Sequence, residues 1–172
     1  MDPSFLSATA LAALIRNREI GCLELLDHFI DRIQRLDGPI NAVVVRDFDR
    51  ARSRARALDS SMDRDGSLFG VPITVKESFD IAGLPTTRGH AAQKDTPVRV
   101  TGLAVRRLEA AGAVVFGKTN VPVNLADWQS FNPVYGTTAN PWNLATTPGG
   151  SSGGSAAAIA AGFSGLELGT DI

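Results

Sequence analysis

Apolar residues repeat at helical spacing through the first third of the chain. After Ser7, a suitable N-cap, Leu11, Leu14 and Ile15 share one side and predict a short helix that ends near Arg18. A stronger pattern starts at Cys22 and predicts an amphipathic helix ended by Gly38-Pro39. Its apolar side consists of Cys22, Leu25, Leu26, Phe29, Ile30, Ile33 and Leu36.

The hydrophobic pattern changes after this helix. The β-branched run 42–45 predicts a short strand, and Asp47 begins a third helix that carries several arginines on its polar side. The run 69–75 is apolar on both faces, which is typical of a buried strand in an α/β protein. It ends at Lys76, and ligands in open α/β sheets bind outside the carboxyl ends of strands.

Another buried strand is predicted at 113–117, after a helix that Thr101 caps and Gly112 stops. Strand, helix and strand in this order predict a right-handed parallel unit. Long segments connect these elements. The segment 78–97 is predicted to be an ordered loop, and the segment 122–148 a structured loop with at most a short helix near Leu125.

The last stretch, TTPGGSSGGSAAAIAAGFSGLELGTDI, contains two adjacent serines between glycine pairs, followed by an alanine-rich segment, 155–161, that favours a helix. Such a loop can bring hydroxyls and backbone N–H groups close to a reacting atom. A flexible linker, a structural turn and a phosphate-binding loop are the alternatives. The phosphate loop has the required glycine spacing, but Ser155 stands where its lysine should be.

The composition limits which classes of protein and of binding partner are consistent with the sequence. The 172 residues are 44% hydrophobic and 20% charged, which is typical of a soluble globular domain. A net charge of −1 gives no reason to expect nucleic acid or an anionic membrane as partner. The single cysteine, Cys22, excludes an internal disulfide and any multi-cysteine metal site. No cofactor is expected, and without a recognisable secretory signal or membrane span we expect a cytoplasmic protein.

Four segments resemble, in their order along the chain, the amidase signature family. They are GVPITVK at 70–76, GKTN at 117–120, NPWN at 140–143 and PGGSSGGSAA at 148–157. The likeness extends from the first helices to the last residue. It implies an α/β fold with a mixed, largely parallel sheet flanked by helices, and a Ser–cis-Ser–Lys triad that hydrolyses carboxylic amides.

The resemblance assigns roles to individual residues of this chain. Lys76 matches the catalytic base, and Ser151 matches the bridging serine, whose preceding peptide bond is cis in the family. The other matches are Ser152 and Thr170 in the supporting hydrogen-bond network, Ile172 in the backbone oxyanion hole, and Leu125 and Ala126 on the acyl side of the pocket. Glu77 departs from the family, in which an aspartate is commoner, but it lies outside the triad.

A lysine can act as a base only when it is neutral. Its reference pKa is about 10.4 and a working value is about 7–8, so the environment must lower the pKa. Burial beside apolar strand residues such as Val71, Ile73 and Val75 acts in that direction, because desolvation disfavours the ammonium form.

The family's nucleophilic serine lies in a Gly-Gly-Ser element directly after Thr-Asp-Ile, which places it three positions beyond Ile172. The chain is therefore expected to be the N-terminal part of an amidase domain, with a helical region at 1–62 and the start of the α/β core at 63–172. Alone it should not hydrolyse its small-molecule amide substrate. Alternatives are the glutamine-hydrolysing subunit of an amidotransferase, and a non-catalytic remnant that oligomerises. The chain is expected to associate with itself as a homo-oligomer or with a complementary C-terminal segment.

Overall fold

The computed structural model describes residues 2–170 as a layered α/β fold. The α-helices are α1 (Ala8–Arg16), α2 (Cys22–Ile40), α3 (Phe48–Asp59), α4 (Leu103–Ala110) and α5 (Gly153–Ala160). The strands are β1 (Val43–Arg46), β2 (Pro72–Lys76), β3 (Val114–Thr119), β4 (Phe131–Asn132), β5 (Gly136–Thr137) and β6 (Glu167–Leu168). Short 3-10 helices cover Pro3–Phe5, Ala91–Gln93 and Val123–Leu125. No helix among these residues is long and apolar enough to cross a membrane.

The main sheet has the strand order β1-β3-β2-β6. Strand β2 runs parallel to both β3 and β6, whereas β1 is antiparallel to β3. The mixed, largely parallel sheet flanked by helices is the predicted fold class, and β2, α4 and β3 form the predicted parallel unit. Strand β1 lies within the first 62 residues, so this region contributes a strand to the same sheet.

Helices cover both faces of the sheet. Helix α3 packs on one face, where the rings of Phe48 and Phe116 are 6.2 Å apart. Helix α5 packs on the other face, where the hydroxyl of Thr119 in β3 lies 2.9 Å from that of Ser155 in α5. Helix α2 joins this core through buried apolar residues, and its first N–H groups, those of Cys22 and Leu23, donate to the carboxylate of Asp59.

Several predicted boundaries were wrong. Helix α2 continues through Gly38-Pro39 to Ile40, and Asn41 ends it in the left-handed conformation, with its N–H bonded to the Asp37 carbonyl. A proline is tolerated in this last turn because the carbonyl it leaves unpaired belongs to exposed Arg35, where water can reach it. Gly102, not Thr101, is the N-cap of α4, since the Thr101 hydroxyl accepts the N–H of Ala82 instead.

The predicted loop 122–148 contains more order than the sequence indicated. Its 3-10 helix at Val123–Leu125 fits the expected short helix, but the hairpin of β4 and β5 was not predicted. These strands have only two residues each, too few for a periodic pattern to be visible.

A very close backbone approach places helix α5 at the end of strand β3. A Cβ atom added to Gly154 would lie 2.4 Å from the backbone nitrogen of Asn120 and 2.5 Å from its oxygen. Only glycine allows the first turn of α5 to rest directly on this backbone. The loop at 148–152, called the serine loop, runs straight into α5. Its position relative to the sheet therefore follows from this contact.

Two buried ionisable side chains hold the loop 78–97 against the sheet. The Glu77 carboxylate accepts the N–H groups of Thr87 and Arg88 at 2.6 and 3.0 Å. The Lys118 ammonium donates to the Pro85 carbonyl, and to the Thr86 hydroxyl at 3.0 Å. Burial lowers the pKa of Lys118 to about 8, although the negative charges of Glu77 and Asp80 oppose this shift.

The contact of Gly154 gives a first prediction. Gly154→Ala should lower the free energy of unfolding by about 1–3 kcal/mol, because the new methyl group meets rigid backbone. Gly38→Ala is the matched control, since Gly38 lies in helix α2 with nothing within 4 Å of an added Cβ. It should raise the same quantity by about 0.5–1 kcal/mol through helix propensity. Chemical denaturation measures both, and equal effects of the two substitutions would contradict the proposed contact.

The lowered pKa of Lys118 predicts how stability depends on pH. The folded state releases this proton near pH 8 and the unfolded chain only near 10.5, so the unfolded state binds more protons between these values. The contribution of Lys118 to stability should therefore increase as the pH rises through this window. In denaturant titrations Lys118→Met should lack that increase, whereas Lys94→Met, at an exposed position of the same loop, should keep it. An identical pH dependence in both variants would overturn this expectation.

Candidate active site

Lys76 and Ser151 meet although they are far apart in the sequence. Lys76 is the last residue of β2, and its side chain is completely buried. Its Nζ lies 2.6 Å from the Oγ of Ser151 and 2.6 Å from the Oγ1 of Thr170. Strand β2 thus places the Lys76 amine beside two hydroxyl groups, one from the serine loop and one from the segment after β6.

The serine loop has the backbone geometry that glycines make possible. Gly149 has a φ of +91°, and a Cβ on Gly150 would lie 2.6 Å from the carbonyl oxygen of Asp127. The Gly150–Ser151 peptide bond is cis. Helix α5 follows at Gly153, and the loop therefore leads from an exposed turn to the sheet within a few residues. The flexible-linker alternative does not describe this segment, because Gly150 lies against the backbone of residues 127–129 and Ser151 is buried beside Lys76.

Ser152 ties the serine loop to the C-terminal segment. Its Oγ donates to the carbonyl oxygen of Thr170 at 2.9 Å and accepts the Thr170 N–H at 3.2 Å. Thr170 is thus held through its backbone by Ser152 and through its hydroxyl by Lys76. The expected oxyanion residue, Ile172, lies outside the described residues.

An open cavity of about 400 Å³ lies over the two serines. Its walls are formed by Trp128, Pro148, Gly149, Gly150, Ser151, Ser152, Gly153, Ala156 and Thr170. The indole of Trp128 is largely exposed beside this opening. Leu125 is half-buried and Ala126 is exposed in the segment that leads to Trp128, and neither is among these lining residues.

A buried carboxyl group lies on the same face of the sheet as Lys76. Glu167 of β6 accepts hydrogen bonds from Thr74 Oγ1 and, at 2.7 Å, from Thr119 Oγ1. Burial raises the pKa of Glu167 to about 7, and hydrogen bonds from hydroxyls, that of Thr74 first, oppose this shift. The described residues contain no cluster of three or more His, Cys, Asp or Glu side chains suited to a metal ion.

Sequence reasoning found Lys76, Ser151, Ser152 and Thr170, and the structure brings these four together. It missed Glu167 and Lys118. The signal for Lys118 was present, since it follows a predicted buried strand as Lys76 does. Glu167 gave no comparable signal, because a glutamate between two leucines in a two-residue strand looks like an ordinary surface position.

Comparisons with known proteins identify the family. Residues 24–172 match the family model described as Amidase. AmiB2, a protein of Mycobacterium tuberculosis that is named an amidase, is 45% identical over 181 residues, covering 99% of this chain and 38% of that protein. A glutamyl-tRNA(Gln) amidotransferase subunit from Acidothermus cellulolyticus is 39% identical over 168 residues, covering 96% of this chain and 33% of that protein.

The solved structures lead to the same family. Fatty acid amide hydrolase superimposes with a TM-score of 0.93 at 30% sequence identity, over 98% of this chain and 30% of that one. The chain thus spans roughly a third of the length of the relatives it matches, 38% and 33% for the two named above. It belongs to the amidase family, whose members carry the amidase signature.

Proposed function

We propose that these residues form the base and relay side of an active site that hydrolyses carboxylic amides. The hydrogen bond of 2.6 Å between Lys76 Nζ and Ser151 Oγ, beside an open cavity, is the observation that supports this proposal. A buried amine bonded to a hydroxyl can accept a proton from it and return it later. Membership of the amidase family supplies the reaction class.

In the proposed mechanism the nucleophile is the serine of the family's Gly-Gly-Ser element, beyond Ile172. Its hydroxyl oxygen forms a bond to the amide carbon while its proton passes to Ser151 Oγ, and the Ser151 proton passes to neutral Lys76. A neutral amine still has two N–H bonds, so Lys76 can donate to Thr170 while it accepts from Ser151. The carbonyl π electrons move to the oxygen and give a tetrahedral oxyanion.

Collapse of this intermediate breaks the C–N bond. Lys76 returns its proton through Ser151 to the leaving nitrogen, which departs as ammonia or an amine. Water then attacks the acyl ester, using the same two residues as base, and releases the acid. Ser152 supports Thr170, which orients the lysine. Family resemblance assigns the backbone of Ile172 to the oxyanion hole. Leu125 and Ala126 are assigned to the acyl side of the substrate pocket by family resemblance.

A second candidate is the glutaminase part of an amidotransferase, because the chain is 39% identical to a glutamyl-tRNA(Gln) amidotransferase subunit. Both candidates use the same Lys76–Ser151 pair and differ in the source of the amide. An enzyme of the second kind should prefer glutamine to simple aliphatic and aryl amides, and a comparison of kcat/KM values for these substrates separates the two.

An exposed apolar surface supports the proposal that further polypeptide packs against this chain. It consists of Phe5, Leu36, Trp142, Leu144 and Ile159, and it borders a groove between α2 and α5. Contiguous apolar surface of this kind is a common mark of an interaction site. We assign it to polypeptide that completes the amidase domain, with self-association of the chain as the competing outcome.

The relay assignment predicts unequal effects of the two adjacent serines. In a longer version of the protein that continues through the Gly-Gly-Ser element, Lys76→Ala and Ser151→Ala should each lower kcat at least about a thousandfold, as losses of a proton-transfer group do. Ser152→Ala should cost far less, since it only supports Thr170. Steady-state kinetics on one amide, with circular dichroism to check folding, measures this. Equal losses at Ser151 and Ser152 would reject Ser151 as the relay.

The position proposed for the nucleophile predicts that the 172 residues alone do not turn over amides. The purified chain should neither hydrolyse a panel of aliphatic and aryl amides nor react stoichiometrically with a fluorophosphonate probe. Addition of the complementary C-terminal segment should restore labelling and give a defined complex in native mass spectrometry. Labelling of Ser151 in the chain alone would show that it is itself a nucleophile and would reject the proposed division of roles.

A further inference from the structure

The carboxyl group of Glu167 joins three structural elements, although the proposed mechanism does not use it. Glu167 pairs with Thr74 in the ladder between β6 and β2, and the Thr74 hydroxyl donates to its Oε2. Its Oε1 accepts from the Thr119 hydroxyl of β3 at 2.7 Å. The Thr119 oxygen also lies 2.9 Å from the hydroxyl oxygen of Ser155 in α5. Together Glu167, Thr74, Thr119 and Ser155 form a carboxyl–hydroxyl cluster.

The same strands and helix carry the two proposed catalytic groups. Thr74 and Lys76 are two positions apart in β2 and point to the same face of the sheet. Thr119 is the cross-strand partner of Lys76 in the β2–β3 ladder. Ser155 lies in the first turn of α5, directly after the loop that presents Ser151. The carboxyl–hydroxyl cluster therefore connects α5, the helix that follows Ser151, to β2, the strand that carries Lys76.

We propose that Glu167 is a positioning residue that, through Thr119 and Ser155, fixes helix α5 on the sheet at the place where Ser151 Oγ meets Lys76 Nζ. This role rests on the proposed function, because the distance between the two groups matters for catalysis only if they transfer protons. The hydrogen bonds of the Glu167 carboxyl group go to hydroxyls of the strands, so its effect is transmitted by the strands and the helix.

Because of its surroundings, the carboxyl group of Glu167 titrates near neutral pH. Part of the residue reaches the surface, whereas its carboxyl oxygens are occupied by hydroxyl groups. Burial raises the pKa to about 7 against the opposing hydrogen bonds. An ionised carboxylate only accepts hydrogen bonds, while the protonated form donates one. The hydroxyls of the cluster must therefore change their directions when Glu167 titrates.

Few charged groups face Glu167 from the elements packed around it. Among the described residues, Lys76 shares its face of the sheet, and a positive charge there favours the ionised carboxylate. Lys118 is the neighbour of Thr119 in β3 and points to the opposite face, toward the loop held by Glu77. Helix α5 carries no acidic or basic side chain. A titration of Glu167 should therefore be felt at Lys76 and, through Ser155, at Ser151.

The test follows Lys76 and Ser151 directly in the 172-residue chain by NMR, with ¹³C-labelled lysine and serine. The chain has three lysines, Lys76, Lys94 and Lys118, and Lys→Arg variants assign their Cε signals, while Ser151→Ala assigns the Ser151 Cβ signal. With ¹³C-labelled glutamate included, the Cδ signal of Glu167 gives the midpoint of its own titration, near pH 7. Between about pH 5 and 9 the Lys76 and Ser151 signals should show a step at this same midpoint, separate from the titration of the lysine itself. Glu167→Gln, which keeps the shape and the hydrogen-bonding capacity, should lose this step. Glu19→Gln, at an exposed position, should keep it.

A second variant separates positioning from a general effect on the fold. Ser155→Ala cuts the link to α5 and leaves the carboxyl group in place, so the Lys76 step should remain while the Ser151 step becomes smaller, to the part transmitted by the hydrogen bond from Lys76. It also serves as the test if circular dichroism shows that Glu167→Gln does not fold. A Ser151 step at the Glu167 midpoint that keeps its full size in both variants, or the absence of such a step from the wild-type chain, would overturn the proposal. Since no turnover is measured, these results are independent of whether the chain's family reaction is amide hydrolysis.

Discussion

The contact between the first turn of α5 and the end of β3 is the constraint on which the site depends. Gly154 lies directly on the backbone of Asn120, where any Cβ would come within 2.4 Å of the nitrogen. Asn120 follows Thr119, the cross-strand partner of Lys76, and Ser151 lies just before the helix. The approach of backbone to backbone therefore brings a hydroxyl within 2.6 Å of a buried amine. If α5 lay farther from the sheet by the thickness of one side chain, Ser151 Oγ and Lys76 Nζ would no longer be within hydrogen-bonding distance.

The buried ionisable side chains of the sheet fall into two pairs with different roles. Lys76 and Glu167 point to the face covered by α5, where hydroxyl groups satisfy them. Lys118 and Glu77 instead bond the loop 78–97, whose backbone N–H and C=O groups they pair. Burying an ionisable group is costly unless it is hydrogen-bonded, and each of these four is. Neighbouring positions on β3 thus serve the site and the loop separately, because alternate residues face opposite sides.

The family membership and the length comparison together are the basis for the proposed division of the active site. The chain spans 38% and 33% of two relatives that it matches almost from end to end. Its exposed apolar surface at Phe5, Leu36, Trp142, Leu144 and Ile159 borders helices that are otherwise well packed. The residues proposed as base, relay and supports belong to one folded unit, while the proposed nucleophile would approach from the polypeptide beyond it.

The sequence by itself determined the family and the fold class, and it singled out Lys76 and Ser151, which the structure places 2.6 Å apart. Helix periodicity, apolar strand runs and the glycine-serine motif are properties of residues adjacent in the chain, so they are visible without coordinates. It did not determine the end of α2, the hairpin of β4 and β5, or the hydrogen bonds of Glu167 and Lys118. Those depend on which strands pair and in what register, and they join positions as distant as Thr74 and Glu167. Only the tertiary structure decided them, because a side chain's burial and partners are set by the elements that pack around it.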